Sequence, residues 1–341
     1  MKQPTIIDVA QRAGVSKSLV SMVIRGSTRV SEKSREAVLE AAQELGYRPN
    51  AAARSLASQR SRVFGCILSD LHNPFFADVA DGIEDASVAH GYRALLSAGF
   101  LDAKREANAV DTLLQLQADG LIMLGPTMKT TRIKESASHI PVVVIARKTN
   151  AKTMDSVLND DKAGAQAIVD HLVGLGHRKI AHIHAGSAAG ARGRRRGYEV
   201  AMERHGLGDH MRSVKGALTE AGGLTGMQSL IESGDLPTAV FVANDFAALG
   251  ALEAIDEVGL RVPEDISVVG YDDISLSHIP RIALTTVAQP SAEMGRTAVQ
   301  LLIERIEEGR SDPRHIVLPP KLVVRGTSAP PSAYRHPGGF G

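Results

Sequence analysis

At 341 residues the chain is long enough for two or three folding units, and a 43% hydrophobic, 23% charged composition is that of a globular protein. No apolar run approaches the ~20 residues of a membrane span, Met1-Lys2-Gln3-Pro4-Thr5 lacks the apolar core of a secretory signal, and one cysteine, Cys66, leaves no internal disulfide. These features set the expectation of a cytoplasmic protein with no membrane partner. The net charge of +1 hides an asymmetry: residues 1–60 hold ten Lys/Arg against five acids, and the remainder holds 29 against 33. A basic arm on a mildly acidic body suggests a polyanion as the arm's partner.

In chain order, residues 5–45 predict three short helices. Thr5 caps the first, with Asp8 completing a variant capping box, and Gly14 ends it. Ser16 caps a second helix from Lys17 to about Ile24, with Val20, Val23 and Ile24 inward. Ser31 caps a third, where Ala37, Val38, Ala41 and Leu45 recur at helical spacing before Gly46. Residues 47–60 read as a linker holding a short hinge helix that needs outside support. From about residue 62, apolar strands alternate with amphipathic helices. The strands are expected at 63–68, 93–96, 120–124, 142–145, 180–184, 239–242, 266–270 and 321–325. The helices include 74–90, 163–175, 245–258 and 291–308. Alternation of this kind gives parallel, doubly wound sheets, and its length calls for two of them. The Pro-, Gly- and Ser-rich end reads as a disordered tail over 329–341.

The first two helices, joined at Ala13-Gly14-Val15, match a helix-turn-helix, whose second helix enters the major groove. The sequence from Thr5 through Ser16 to Ser21, Arg29-Val30-Ser31, Leu45-Gly46-Tyr47-Arg48-Pro49-Asn50 and Arg54-Ser55-Leu56 resembles the LacI/GalR family of bacterial regulators, over about residues 5 to 328. The resemblance implies that Lys17 and Ser18 read bases, with Met22 one turn later. Met22 departs from the long polar or basic residue usual there and offers only apolar contact, as to a thymine methyl. Thr5, Ser16, Ser21 and Ser31 are implied phosphate contacts. Arg25 adds another, or is an exposed cation. Asn50 lies in the hinge motif. Leu56 stands where the family inserts a leucine into the minor groove, and Ala53 is small enough to let two hinge helices approach.

The resemblance also implies a two-lobed, periplasmic-binding-protein-like core over 61–328. Its first lobe takes 61–159 and 291–318, and its second takes 160–290 and 319–328, behind a head at 1–46. Effector contacts are expected beyond the strand carboxyl ends, at Asn73, Phe75, Phe76, Arg147, Arg194, Asn244, Asp272 and Gln289. One of the two phenylalanines is an equally good core residue. Ala146 replaces an aspartate that relatives carry, and Leu224 an aromatic. The group suits a sugar, polyol or phosphorylated derivative, and Arg147 with Arg194 would also accept a carboxylate or phosphate. Asp160, Asp161, Gly164, His171 and His177 resemble family landmarks near the lobe crossover and read as structural or interdomain rather than catalytic. His182 and His184 share a strand face, but two ligands make no metal site. There is no phosphate loop, nucleophile elbow or metal set, so neither an enzyme nor a cofactor is expected. The expected protein is a homodimeric, effector-controlled regulator, most simply a repressor, of palindromic operator DNA. The rival is a sugar-binding module or solute-binding protein without regulatory output.

Overall fold

The computed structural model describes residues 4–24, 27–48, 60–149 and 151–332. The expected contacts of Arg25, Asn50, Ala53 and Leu56, most of the hinge, and the tail beyond 332 lie outside these residues. The chain divides into two compact units at Arg62 and Val63, and each has its own core.

In the first unit α1 (Ile6–Arg12), α2 (Lys17–Ile24) and α3 (Glu32–Glu44) enclose a small core of Val9, Ala10, Val20, Val23, Val30, Val38 and Ala41. Thr5 and Asp8 form a reciprocal capping box: the Asp8 amide donates to the Thr5 hydroxyl, and the Thr5 amide donates to Asp8 Oδ2 at 2.6 Å. Gly14 takes φ +65° in the turn, a left-handed conformation that glycine adopts without strain. Val15 then packs against the core, and its amide bonds to the Ala10 carbonyl. Ser31 caps α3 by accepting from the Ser34 amide.

The second unit begins with β1 (Val63–Leu68), α4 (Pro74–Ala89), β2 (Arg93–Ala98), α5 (Ala103–Gln115), β3 (Gly120–Leu124), α6 (Thr130–Ser136), β4 (Val142–Ile145) and β5 (Asp155–Asn159). It continues through α7 (Asp161–Gly174), β6 (Ile180–His184), α8 (Ala191–Arg204), β7 (Arg212–Lys215), α9 (Glu220–Glu232), β8 (Ala239–Val242), α10 (Asp245–Glu257) and β9 (Ser267–Val269). It ends with β10 (Thr286–Ala288), α11 (Ser291–Glu307), β11 (His315–Leu318) and β12 (Lys321–Val323). Two parallel sheets result, in the orders β11-β5-β4-β3-β1-β2 and β7-β6-β8-β9, and a short antiparallel pair, β10-β12, accompanies the second. The chain therefore crosses between lobes near 160 and 290 and again after 318. The last excursion brings α11 onto α4 and sets β11 beside β5.

An ionic knot secures that return. Asp155 is fully buried at the start of β5 and accepts from Arg305 Nε (2.7 Å), Arg310 Nη2 (2.8 Å) and the Arg314 amide (2.7 Å). Burial alone would raise its carboxyl, but these bonds hold it below the usual range.

The structure corrects the expected elements in places. β5, β7, β10 and β11 are additional strands. β7 alternates between half-buried and exposed and carries no apolar run, while β11 has only the three apolar residues Ile316, Val317 and Leu318, of which Leu318 alone is buried. The disordered tail does not begin at 329. The Ala329 carbonyl accepts from His177 Nε2 at 2.8 Å, its amide donates to Ser267 Oγ, and Pro331 lies against Gly176. Backbone bonds of this kind hold a segment whatever its composition.

Candidate functional site

The carboxyl ends of the two sheets face one another. A Cβ on Gly125, after β3, would lie 3.7 Å from that of Ala189, after β6. Ile274, Leu276 and Phe246 of the second lobe pack on the core of the first. Between the lobes sits a polar cluster centred on Arg194, which is 5% exposed. Its Nε donates to Asp161 Oδ1 (3.0 Å) and its Nη1 to the Ala243 carbonyl (2.6 Å); Nη2 lies 3.4 Å from Asp272 Oδ1. The guanidinium carbon stands 3.8 Å above the Tyr271 ring. Gln289 Nε2 donates to Asp272 Oδ1 at 2.6 Å, and Asn159 Nδ2 donates to the Tyr271 hydroxyl at 2.6 Å. Asn159 Oδ1 is buried with no partner among the described residues.

The local backbone explains this gathering. Gly164 faces the Tyr271 hydroxyl so closely that a Cβ there would lie 2.3 Å from it, which seats α7 against the loop after β9. Asp272 takes φ +123° and Asp273 φ +61°, strained values for non-glycine residues. They are held by the Asp272 amide on the Val287 carbonyl and by Arg325 on the Asp273 carboxylate at 2.6 Å. Burial pushes the Asp272 carboxyl up to about 7; Arg194 opposes this, and the neighbouring Asp245 and Asp161 add to it. Burial raises Asp161 too. Arg194 is the reverse case: burial would depress it, and the two carboxylates more than restore its charge. With both acids ionised, the Arg194–Asp161–Asp272 group carries a net charge of −1.

Arg194, Asp272 and Gln289 thus come together as the sequence suggested, and the other expected contacts divide. Asn73 and Asn244 cap α4 and α10, with Oδ1 accepting from the amides of Phe75 and Ala247. Asn244 Nδ2 is spent on the Leu218 carbonyl (3.3 Å). Phe75 and Phe76 are both core residues, packed edge-on at 5.5 Å and 5% and 8% exposed, so the open ring faces expected for a sugar are absent. Arg147 donates to the Pro126 and Met128 carbonyls and to Thr130 Oγ1. The facing amides of Thr127 and Met128 rest on the buried carboxylate of Glu106. Arg147 therefore fixes the loop after β3, and Arg194 is engaged by two carboxylates and a carbonyl.

Asp161, Tyr271 and Asn159 were not anticipated as site residues. The paired acids at 160–161, at a strand-to-helix crossover, were the available signal. His182 is a core residue, stacked on Phe241 at 4.3 Å with Nδ1 on the Phe241 carbonyl. Among the described residues no group of three His, Cys, Asp or Glu is placed to hold a metal, and no helix is long and apolar enough to cross a membrane.

On the head, Lys17, Ser18 and Met22 are exposed along one side of α2, with Met22 38% exposed and Ser21 half-buried. Thr5, Ser16 and Ser31 are exposed at the starts of the three helices, and Ser16 Oγ accepts from the Leu19 amide. Cation, hydroxyls and helix starts lie where phosphates and base edges could be met.

A helix-turn-helix head joined to a two-lobed α/β core with a polar interlobe cluster defines a class: DNA-binding transcription regulators that carry a small-molecule site. Residues 5–50 match the bacterial regulatory proteins of the lacI family, and residues 169–328 match a periplasmic binding protein-like domain. The ribose operon repressor of Haemophilus influenzae is 36% identical over 324 residues, covering 94% of this chain and 97% of the relative. The HTH-type transcriptional repressor PurR of the same species (strain PittEE) is 37% identical over 328 residues, 94% of this chain and 97% of its own. The crystal structure of the lac repressor dimer bound to operator and the anti-inducer ONPF superposes with a TM-score of 0.85 at 31% identity, over 96% of this chain and all of that one. The chain belongs to the lacI family of bacterial regulatory proteins.

Proposed function

We propose that this regulator is a cytoplasmic, non-enzymatic repressor that binds a palindromic operator as a homodimer, and that a neutral, hydroxyl-rich molecule held at Arg194, Asp272 and Gln289 changes its operator affinity. The observation that carries the effector reading is the Arg194 cluster, an enclosed set of planar donors and carboxyl acceptors. Sugar hydroxyls both donate and accept, so they suit such a site, whereas a phosphate or carboxylate would face two acids that already share the one guanidinium. Lys17, Ser18 and Met22 read bases, and Thr5, Ser16, Ser21 and Ser31 meet phosphates. A two-fold protein suits a two-fold operator. The edge strand β2 supports self-association, because it leaves Leu95 and Leu96 exposed.

The test is operator selection from random duplexes at fixed salt, with and without a panel of pentoses, hexoses, polyols and a purine. Recovery of a palindrome whose retention changes with one neutral polyhydroxylated compound supports the proposal. Sequence-independent binding that no compound alters rejects it.

A further inference from the structure

A second basic region lies outside both the head and the Arg194 cluster. Between residues 129 and 154 there are six Lys/Arg and one acid, Glu135, in a chain whose net charge is only +1. Arg132 is paired with Asp111 and Glu135, and Arg147 holds the loop after β3. Lys129, Lys134, Lys148 and Lys152 carry no ion pair among the described residues. Two of these lysines open onto one cavity of about 340 Å³, lined by Thr130, Lys134, Lys148, Thr149 and Ala151. It lies beyond the carboxyl ends of β3 and β4, between the start of α6 and the segment that follows Arg147.

The hydroxyls in this cavity have defined polarity. Thr130 Oγ1 already accepts from Arg147 Nη2 at 2.9 Å, and Thr149 Oγ1 already accepts from the Ala151 amide at 3.1 Å. Each therefore keeps its own O–H to give away. Lys134, Lys148 and two threonines whose hydroxyls are able to donate line the cavity, and among the described residues no Asp or Glu does. A neutral polyol would find donors with little to accept its own protons, whereas a tetrahedral oxyanion accepts from all four. We infer that this cavity is an anion site for the phosphate group of a small phosphorylated metabolite, distinct from the Arg194 cluster. Arg147 joins its Thr130 wall to the Pro126 and Met128 carbonyls, so the occupied pocket and the interlobe loop share one anchoring side chain.

The test uses the full chain at fixed ionic strength, titrated calorimetrically with inorganic phosphate, a hexose 6-phosphate and the unphosphorylated hexose. Wild type should bind the hexose phosphate saturably and more tightly than inorganic phosphate. K134Q/K148Q, which alters two exposed side chains, should weaken it at least tenfold with an unchanged melting temperature, and D272N should leave it intact. Binding of inorganic phosphate as tight as that of the hexose phosphate would reassign the site to the free ion. Equal binding by wild type and K134Q/K148Q, loss in D272N instead, or no saturable binding at millimolar concentration overturns the inference. None of these results depends on the effector proposed for the Arg194 cluster.

Discussion

Arg194 is the residue on which the interlobe site turns, because one guanidinium serves the buried Asp272, the half-buried Asp161, a carbonyl and an aromatic face. R194M leaves the buried Asp272 and the half-buried Asp161 without their shared cation. The expected loss is about 3–5 kcal/mol, the usual cost of removing one partner of a buried pair, read from urea unfolding at neutral pH. Asp272 adds a pH dependence. Its folded carboxyl lies near 7, above its unfolded value, so its contribution to stability is full in acid and is lost as pH rises through 7. Asp155 runs the other way, stabilising above the ordinary carboxyl range and losing that contribution as pH falls through its depressed value. An effector hydroxyl donating to ionised Asp272 should bind about tenfold more weakly per unit below pH 7, and D272N should abolish that slope in calorimetric titrations from pH 5.5 to 8.5. At this scale residue types were legible and orientations were not. Arg194, Asp272 and Gln289 could be singled out by chemistry. Which of Asn73, Asn244 and Arg147 would turn back onto its own backbone depended on caps and carbonyls that only the fold brings into reach.

Among the elements, the head is the least buffered, since three short helices share a seven-residue buried core. Ser31→Ala removes the hydroxyl that accepts from the Ser34 amide at the start of α3, and should cost about 1 kcal/mol, seen as a lower melting temperature of the head transition. The exposed Leu95 and Leu96 of β2 lie on the edge proposed above for self-association. L95E/L96E should shift the protein toward monomer in sedimentation velocity and weaken operator binding with it. Strands inside a sheet were legible as apolar runs, as in Gly120–Leu124 and Val142–Ile145, which are buried throughout. β5, β7, β10 and β11 were not. Asp155 opens β5 with a charge that is neutralised from residues 305 and 310, about 150 positions away, and no local pattern announces such a partner.

For the whole molecule, the proposed function requires that a head which reads DNA and a core which binds a neutral effector be thermodynamically linked. Linkage of ~1–3 kcal/mol suffices for a 5–150-fold change in operator affinity. Its architecture was legible early because βα alternation and the helix-turn-helix pattern both extend over many residues. The division of labour between a sugar-suited cleft and a cationic cavity was not, since it rests on which side chains already have partners. The most direct measurement is fluorescence anisotropy of the selected operator at fixed salt and pH 8, titrated with the selected effector, for wild type and D272N. Equal operator affinity without effector, a wild-type shift of at least about fivefold and no shift in D272N are expected. An equal shift in both proteins, or none in wild type while the effector binds, would contradict the proposed linkage.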